Sequence, residues 1–327
     1  MNLAIHNSSI SKVWLLFSLF LVLLPIVSLA QSETISIDSG WQYRWGDSAF
    51  SNEGIPKWVV DEQDKWSNIR FPSNPSNRDG KTNVWYRTSL PSGAWHDPVV
   101  YIYSVDLITE VYMEDGRQIY QYGSFDEDGQ GHFEGWPWHM IELPDDFSGK
   151  SLYFRIFSSA ADIGLWGEVK LMERIELLKY IVNKSITDLL VTALSFLISL
   201  LALIFALVQE NRRTFFLISF FTISSSFMLF AQTPVKQLLF NAPLFWDYVA
   251  ATSYFVLPVT MAMLFDSWHK WKFSKIIKAI WKFHLAFVLV SISSSLAGVV
   301  ELSSMYYLFD ILFTLSLLLL FIVIFTH

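Results

Sequence analysis

The sequence contains no cysteine. No disulfide can therefore stabilise any part of it, and a lipid carried on an N-terminal cysteine is excluded as a membrane anchor. An exported domain of this chain must be held together by a hydrophobic core instead. A cysteine-free exported domain also fits a bacterial periplasm better than a eukaryotic secretory pathway.

Charged residues are scarce in the second half of the chain. Over the whole sequence 16% of residues are charged and 53% are hydrophobic, and long apolar runs follow residue 184. A helix needs about 20 apolar residues to cross a bilayer. Segments near this length predict an α-helical transmembrane bundle over 185–327, in contact with the lipid bilayer. The expected spans are about 186–208, 215–231, 248–265, 280–300 and 305–326.

The N-terminus has the pattern of a secretory signal peptide. Lys12 precedes the apolar run VWLLFSLFLVLLPIV, and small residues follow at Ser28 and Ala30. A charged start, an apolar middle and small residues before the cleavage point are the features that signal peptidase reads. We therefore expect a signal peptide at 1–30. An uncleaved signal anchor is the alternative, and either one places residue 31 onward outside the cytoplasm.

The basic residues between the spans indicate the same orientation. Arg212 and Arg213 lie between the first and second spans, and a group of lysines lies between the third and fourth. These lysines are Lys270, Lys272, Lys275, Lys278 and Lys282. Lys and Arg remain on the cytoplasmic side of a membrane protein. The sequence therefore predicts a multi-pass protein of the bacterial inner membrane with a periplasmic N-terminal domain.

The predicted exported region is acidic. Residues 31–180 contain 24 Asp and Glu against 13 Lys and Arg, a net charge of −11. Nucleic-acid binding requires a basic surface, because most of its affinity comes from phosphate contacts. Nucleic acid is thus excluded as the expected partner.

Residues 31–172 have the pattern of an all-β domain. Short runs rich in Val, Ile, Tyr, Phe and Trp alternate with turn residues, without a helical period, which is typical of a β-sandwich. Asp115-Gly116 predicts a hairpin turn, and 71–81 (FPSNPSNRDGK) predicts a long loop. The predicted strand segments are 84–90, 99–105, 109–115, 117–123, 139–144, 151–157 and 167–172.

The order of these segments resembles the galactose-binding-like jelly roll. The resemblance covers roughly residues 40–172 and rests on WYRTSL at 85–90, the turn at Asp115-Gly116 and the late strand LYFRIF at 152–157. That family usually has Asn before the turn glycine, where this chain has Asp115. The resemblance implies a jelly-roll sandwich and, more weakly, a carbohydrate ligand, since a fold does not determine its function.

The arrangement of signal peptide, β-domain and helices resembles a second group, the bacterial seven-transmembrane receptors with diverse intracellular signalling modules. The basic connection Asn211-Arg212-Arg213 before an aromatic-rich second span is similar to theirs. The resemblance implies seven helices and a cytoplasmic output such as a diguanylate cyclase or histidine kinase. This sequence ends after five predicted spans, so it is expected to be the front part of a longer receptor or a genuine five-helix protein.

No catalytic, cofactor or metal motif is found, so no enzyme activity is expected within this chain. The acidic loop at 126–134 lacks a glutamate where a calcium loop requires one, since Pro137 stands at its twelfth position. His132 and His139 near Glu134 lack the helical spacing and third ligand of a zinc site. Paired acids for glycoside cleavage are not accompanied by a catalytic barrel.

Aromatic and polar residues on turn-rich segments are the expected ligand-binding residues. Aromatic faces stack on sugars while polar groups fix orientation. The candidates are Trp136, His139, Trp166, Arg78 and Asp79. Packing in the core or at its rim is the competing interpretation of each. Strand alternation from 139 predicts Trp138 and Met140 facing inward and His139 facing outward.

The function predicted from the sequence is the sensor portion of a bacterial membrane receptor. A periplasmic domain at 31–172 would bind a small ligand such as a carbohydrate, and a juxtamembrane linker at 173–184 would couple it to the bundle. The alternative is a transporter or a membrane-anchored carbohydrate-binding protein without signalling output. The sequence leaves open the ligand, the output and whether the chain forms a homodimer.

Overall fold

A computed structural model describes residues 34–61, 65–268 and 274–325. The predicted signal peptide lies outside these residues, as do Lys270 and Lys272. The described chain consists of a β-sandwich followed by a helical region, which is the fold class that the sequence predicts.

Ten strands occur in the described residues. They are β1 Ile35–Ser36, β2 Trp41–Trp45, β3 Ser67–Ile69, β4 Asn83–Ser89, β5 Pro98–Val105, β6 Ile108–Met113, β7 Gln118–Tyr122, β8 His139–Glu142, β9 Ser151–Phe157 and β10 Leu165–Glu173. One sheet has the order β1-β10-β5-β8 and the other β3-β2-β4-β9-β6-β7. All recorded strand pairs are antiparallel. Each predicted strand segment is confirmed, and the three short strands β1 to β3 are additional.

Alternation along the strands produces the sandwich core. Val84 and Tyr86 point between the sheets, as do Phe154 and Ile156 of the neighbouring strand β9. The intervening residues of these strands, such as Arg87, lie on the outer face of the six-stranded sheet. β6 and β7 form the predicted hairpin, in which Gly116 has a φ of +83° that favours glycine.

Seven helices occur in the described residues, the first of them within the sandwich between β2 and β3. They are α1 Lys57–Val60, α2 Arg174–Val208, α3 Arg212–Gln232, α4 Lys236–Leu239, α5 Pro243–Trp268, α6 Ser274–Leu296 and α7 Leu302–Phe325. Five of them, α2, α3, α5, α6 and α7, are long and apolar enough to cross a membrane. Their positions match the five predicted spans.

The last strand continues directly into the first long helix. β10 ends at Glu173 and α2 begins at Arg174, so 174–184 are helical and continuous with the first span. Arg174 binds Asp97 and Glu142 on the sandwich at N–O distances of 2.8 and 2.9 Å. The segment that the sequence assigns to a linker is therefore the first part of a helix attached to the domain.

The outer face of the four-stranded sheet is covered by this helix. Val99, Tyr101 and Met172 pack against Leu177 and Ile181 of α2. Strand β5 is consequently apolar on both faces over residues 98–102, which explains the nearly continuous hydrophobic run there. Burial of apolar surface at about 25 cal/mol per Å² makes this contact a stabilising one.

Candidate functional site

A polar cleft lies on the outer face of the six-stranded sheet. Its volume is about 750 Å³, which is within the range of small-molecule sites. Strands β2, β4 and β9 form its floor, and α1 forms one wall. The lining residues are Gly40, Gln42, Val59, Val60, Arg87, Thr88, Ser89, Glu114, Ser151 and Tyr153.

Arg87 is the central cation of this cleft. Its Nε donates to Oε1 of Gln42 at 2.7 Å, and its guanidinium lies 4.6 Å from the ring centroid of Trp66. The Trp66 ring packs edge-on against Tyr153, with 5.8 Å between centroids. The amide and the ring hold the guanidinium in one orientation, while Glu114 supplies a carboxylate on the cleft wall.

A buried ionic network lies further along the same sheet face. Arg155 is 6% exposed and binds Asp47 through Nε at 2.9 Å and Glu110 through Nη1 at 3.0 Å. Trp85 Nε1 donates to Asp47 at 2.9 Å, and the hydroxyl of Tyr112 donates to Glu110 at 2.7 Å. A buried charge is tolerated when it is paired and hydrogen-bonded in this way.

The network is closed to ligands. Phe50 and Phe125 cover the Arg155 guanidinium, the latter at 3.9 Å from its ring centroid. Burial and the neighbouring Glu110 raise the pKa of Tyr112 above its usual value, so its hydroxyl remains a donor at neutral pH. We assign the network a structural role, because it fixes the segment that carries α1 against the sheet.

The segment GHFEGWPWHM at 131–140 lies at the boundary between sandwich and helices. We call residues 131–138 the junction loop. The backbone N–H of Trp136 donates to Oδ2 of Asp247 in α5 at 3.1 Å. Trp138 donates through its backbone N–H to Gln237 at 3.1 Å and through Nε1 to the carbonyl of Pro234 at 2.9 Å. The junction loop therefore attaches the sandwich to the helical region.

The predicted directions of residues 138–140 are wrong. Trp138 and Met140 pack against α2 on the outer face of the sheet, and His139 faces the sandwich interior. His139 pairs across the sheet with the inward residue Ile102, and opposite residues share a face. Ile141 is apolar on the inner face and Met140 is apolar on the outer face, so the apolar pattern alone could not show which face of β8 is inside.

His139 is 1% exposed and is therefore not accessible to a ligand in this structure. Its Nδ1 lies 2.8 Å from the hydroxyl of Tyr120 on the opposite sheet, and its Nε2 has no hydrogen-bond partner among the described residues. Burial lowers the pKa of His139 to about 3. The side chain is thus a neutral link between the two sheets.

Of the other four predicted ligand residues, Trp166 and Arg78 both lie near the carboxylate of Asp106, away from the cleft. Trp136 is 44% exposed on the junction loop. Trp166 donates through Nε1 to Asp106 at 2.5 Å, and burial raises the pKa of Asp106 to about 6. Arg78 donates to three backbone carbonyls of its own and a neighbouring loop, and Asp79 is exposed with a φ of +47°.

None of the five predicted residues lines the cleft. Arg87, Gln42 and Tyr153 were not predicted because they lie on strands, whereas ligand residues were expected on turns. Glu114 does lie in the β6–β7 turn, but nothing in its sequence context distinguishes it from the other acidic residues of the domain. One sequence feature could have indicated the cleft. Arg87 stands at an outward position of a strand whose inward positions are apolar. Among the described residues no group of three or more His, Asp or Glu is placed to hold a metal ion.

Comparisons with known proteins establish no family. No family model and no curated protein matches the sequence. A family 35 carbohydrate-binding module from Clostridium thermocellum is 8% identical, with a TM-score of 0.24 over 43% of this chain and 99% of the module. A PA14 sugar-binding domain from an RTX adhesin is 9% identical, with a TM-score of 0.18 over 44% of this chain and 72% of that one. TM-scores this low carry no argument about what this chain binds.

Proposed function

We propose that this chain is the sensor portion of a bacterial inner-membrane receptor. In this proposal residues 1–30 are a signal peptide, 31–172 form a periplasmic sensor and the helices carry its signal towards a cytoplasmic output of the kind implied by the receptor resemblance. The main support for this proposal is that β10 continues directly into α2. A domain that served only as an anchored binder would need no rigid connection to the first span.

The cleft supports a small ligand rich in hydroxyl groups, of which a carbohydrate is the natural class. Its walls offer Arg87, Gln42 and Glu114 for charged and neutral hydrogen bonds, with the exposed side chain of Val60 as an apolar surface beside them. Sugars need convergent polar groups together with an apolar surface. The hydroxyl of Ser151 adds a group that can both donate and accept a hydrogen bond.

The route from cleft to membrane runs through the sandwich. Arg87 lies on β4, which pairs with β9, and the sandwich core joins that sheet to β10. β10 and the junction loop then contact α2, α4 and α5. A ligand that binds one arrangement of sandwich and helices better than another would shift the population between them.

The test measures sugar binding and its effect on α2 in the full chain reconstituted in lipid nanodiscs. Titration with D-galactose, D-glucose and lactose is expected to give saturable binding of at least one sugar, with slower hydrogen exchange over 174–184. Arg87→Met should weaken that binding by about tenfold or more, because it removes a charged hydrogen-bond donor.

Arg117→Met is the matched control, since Arg117 is an exposed arginine of the β6–β7 turn that pairs with Asp115 and Asp146. It should leave binding unchanged. Sugar binding without any change over 174–184 would favour the anchored binding protein. No binding of any sugar at millimolar concentration would remove the carbohydrate assignment.

A further inference from the structure

A second, smaller cavity lies where the junction loop meets the ends of α5 and α7. Its volume is about 160 Å³. The sandwich contributes two aromatic side chains to it, and the helices contribute a carboxylate and a tyrosine. The lining residues are Phe133, Trp136, Asp247, Leu302, Ser303 and Tyr306.

Aromatic rings form much of this cavity wall. Phe133 and Trp136 contact each other at a centroid distance of 5.3 Å and an angle of 57°. Tyr306 comes from α7 and is braced by Phe255 at 5.4 Å and Tyr254 at 6.2 Å. The faces of such rings are electron-rich and attract cations.

Asp247 supplies the negative charge of the cavity. Its Oδ2 accepts the backbone N–H of Trp136 at 3.1 Å, and the charge of Lys236 in α4 interacts with it electrostatically. The ammonium of Lys236, the nearby cation of α4, donates to the carbonyl of Ala231. The carboxylate is therefore oriented by the junction loop and retains capacity for a positively charged partner.

We propose that this junction cavity binds a small organic ammonium ion. A carboxylate among three aromatic side chains matches an alkylammonium group, which gains both an ion pair and cation–π contacts. A single carboxylate surrounded by rings is a poor site for a hard metal ion, which requires several oxygen ligands. A sugar would meet only one charged acceptor in a mostly aromatic cavity.

Occupation of the cavity would link the sandwich to the helices. Phe133 and Trp136 belong to the junction loop, whereas Asp247 and Tyr306 belong to the bundle. A ligand that contacts both would stabilise the docked arrangement by its differential affinity for it. The proposal does not depend on sugar binding in the cleft, so each can fail without the other.

The test uses choline chloride as the probe and the full chain in phosphatidylglycerol nanodiscs, which contain no ammonium lipid. Calorimetry should show saturable binding of choline. Its neutral isostere 3,3-dimethylbutan-1-ol, in which carbon replaces the nitrogen, should not bind measurably. Equal binding of the two compounds, or no choline binding at millimolar concentration, would overturn the proposal.

Asp247→Asn removes the charge while its amide oxygen still accepts the Trp136 N–H. It should weaken choline binding by about tenfold or more, since a desolvated ion pair and its cation–π partners are lost together. Asp188→Asn, at an exposed carboxylate of α2, is the matched control and should bind like the wild type. Retained affinity in Asp247→Asn would contradict the assignment.

Tyr306→Leu provides an independent variant if Asp247→Asn does not fold. It removes one aromatic side chain of the cavity without changing the carboxylate and should also weaken choline binding. Unchanged affinity would contradict a role of the aromatic rings in binding.

A second set of nanodiscs containing phosphatidylcholine distinguishes the source of the ammonium group. If phosphatidylcholine headgroups occupy the cavity, added choline will no longer bind, and a lipid headgroup is then the occupant. If choline binds as it does in phosphatidylglycerol nanodiscs, the occupant is a free ligand.

Discussion

At the scale of single residues, the environment of a side chain decided its role more than its type did. His139 and Trp136 are close in sequence and both were candidate ligand residues. The structure buries His139 between the sheets, whereas Trp136 stays 44% exposed. Arg78 was predicted for a ligand and instead donates to loop carbonyls. Arg87, on a strand, is the arginine that lines the cleft.

Burial of His139 predicts acid sensitivity. Its folded-state pKa of about 3 lies below the ordinary value of 6.5. Between these values the unfolded chain binds a proton that the folded chain rejects, so stability is full above pH 6.5 and falls as the pH falls towards 3. The slope is about 1.4 kcal/mol per pH unit, which gives about 2 kcal/mol at pH 5.

His139→Gln should reduce this acid sensitivity, because glutamine does not titrate. Thermal unfolding of wild type and variant at pH 7 and pH 5 measures it, and the drop in Tm between the two pH values should be smaller in the variant. His132→Gln is the control, since His132 is exposed beside Glu134. An equal Tm drop in wild type and His139→Gln would refute the prediction.

At the scale of elements, the sequence was informative wherever one face of an element is buried. Runs rich in Val, Ile, Tyr, Phe and Trp predicted β4 and β9, whose inward residues are apolar and whose outward residues include Arg87 and Arg155. Alternation could not assign the faces of β8, because the sandwich covers one face and α2 the other. The junction loop likewise carries no sequence signal for its contact with α5.

The contact of Gly135 with α5 predicts a specific loss of docking. A Cβ at Gly135 would lie 2.6 Å from the backbone nitrogen of Leu244 and 2.8 Å from the carbonyl carbon of Pro243, and its φ is +105°. Gly135→Ala should therefore combine backbone strain of about 1–2 kcal/mol with a clash against backbone that cannot yield. We expect faster hydrogen exchange in the junction loop and at the start of α5.

Gly54→Ala is the control that separates the effect of backbone strain from the effect of a steric clash. Gly54 also has a positive φ, +77°, but a Cβ there meets nothing within 4 Å. This control should lower stability slightly and leave exchange in the junction loop unchanged. If both variants behave alike, the close approach of loop and helix is not what holds the junction together.

At the scale of the whole molecule, the connections between the long helices lie at two opposite ends of the helical region. The α3–α4 connection and the start of α5 contact the junction loop, so they lie at the same end as the sandwich. α2 starts at the sandwich and runs 35 residues away from it to Val208. Asn211, in the following connection, is therefore at the opposite end, where the sequence predicts the cytoplasm.

This arrangement predicts opposite accessibility for two engineered cysteines. The chain has no cysteine of its own, so labelling has no background. Ser92→Cys on the sandwich should react with a membrane-impermeant maleimide in intact spheroplasts, because Ser92 is exposed. Asn211→Cys should react only after lysis. Labelling of both positions, or of Asn211→Cys alone, in intact spheroplasts would reject the predicted orientation.

The sequence by itself determined the type of seven of the ten described strands and of the five long helices. Composition separates the β-domain from five apolar helices, because strands, spans and turns each require residue types that can be recognised locally. The tertiary structure alone decided the sites. The cleft joins residues from β2, β4 and β9, and the junction cavity joins a loop to two helices. Such groupings depend on strand pairing and docking between distant segments, which local patterns do not encode.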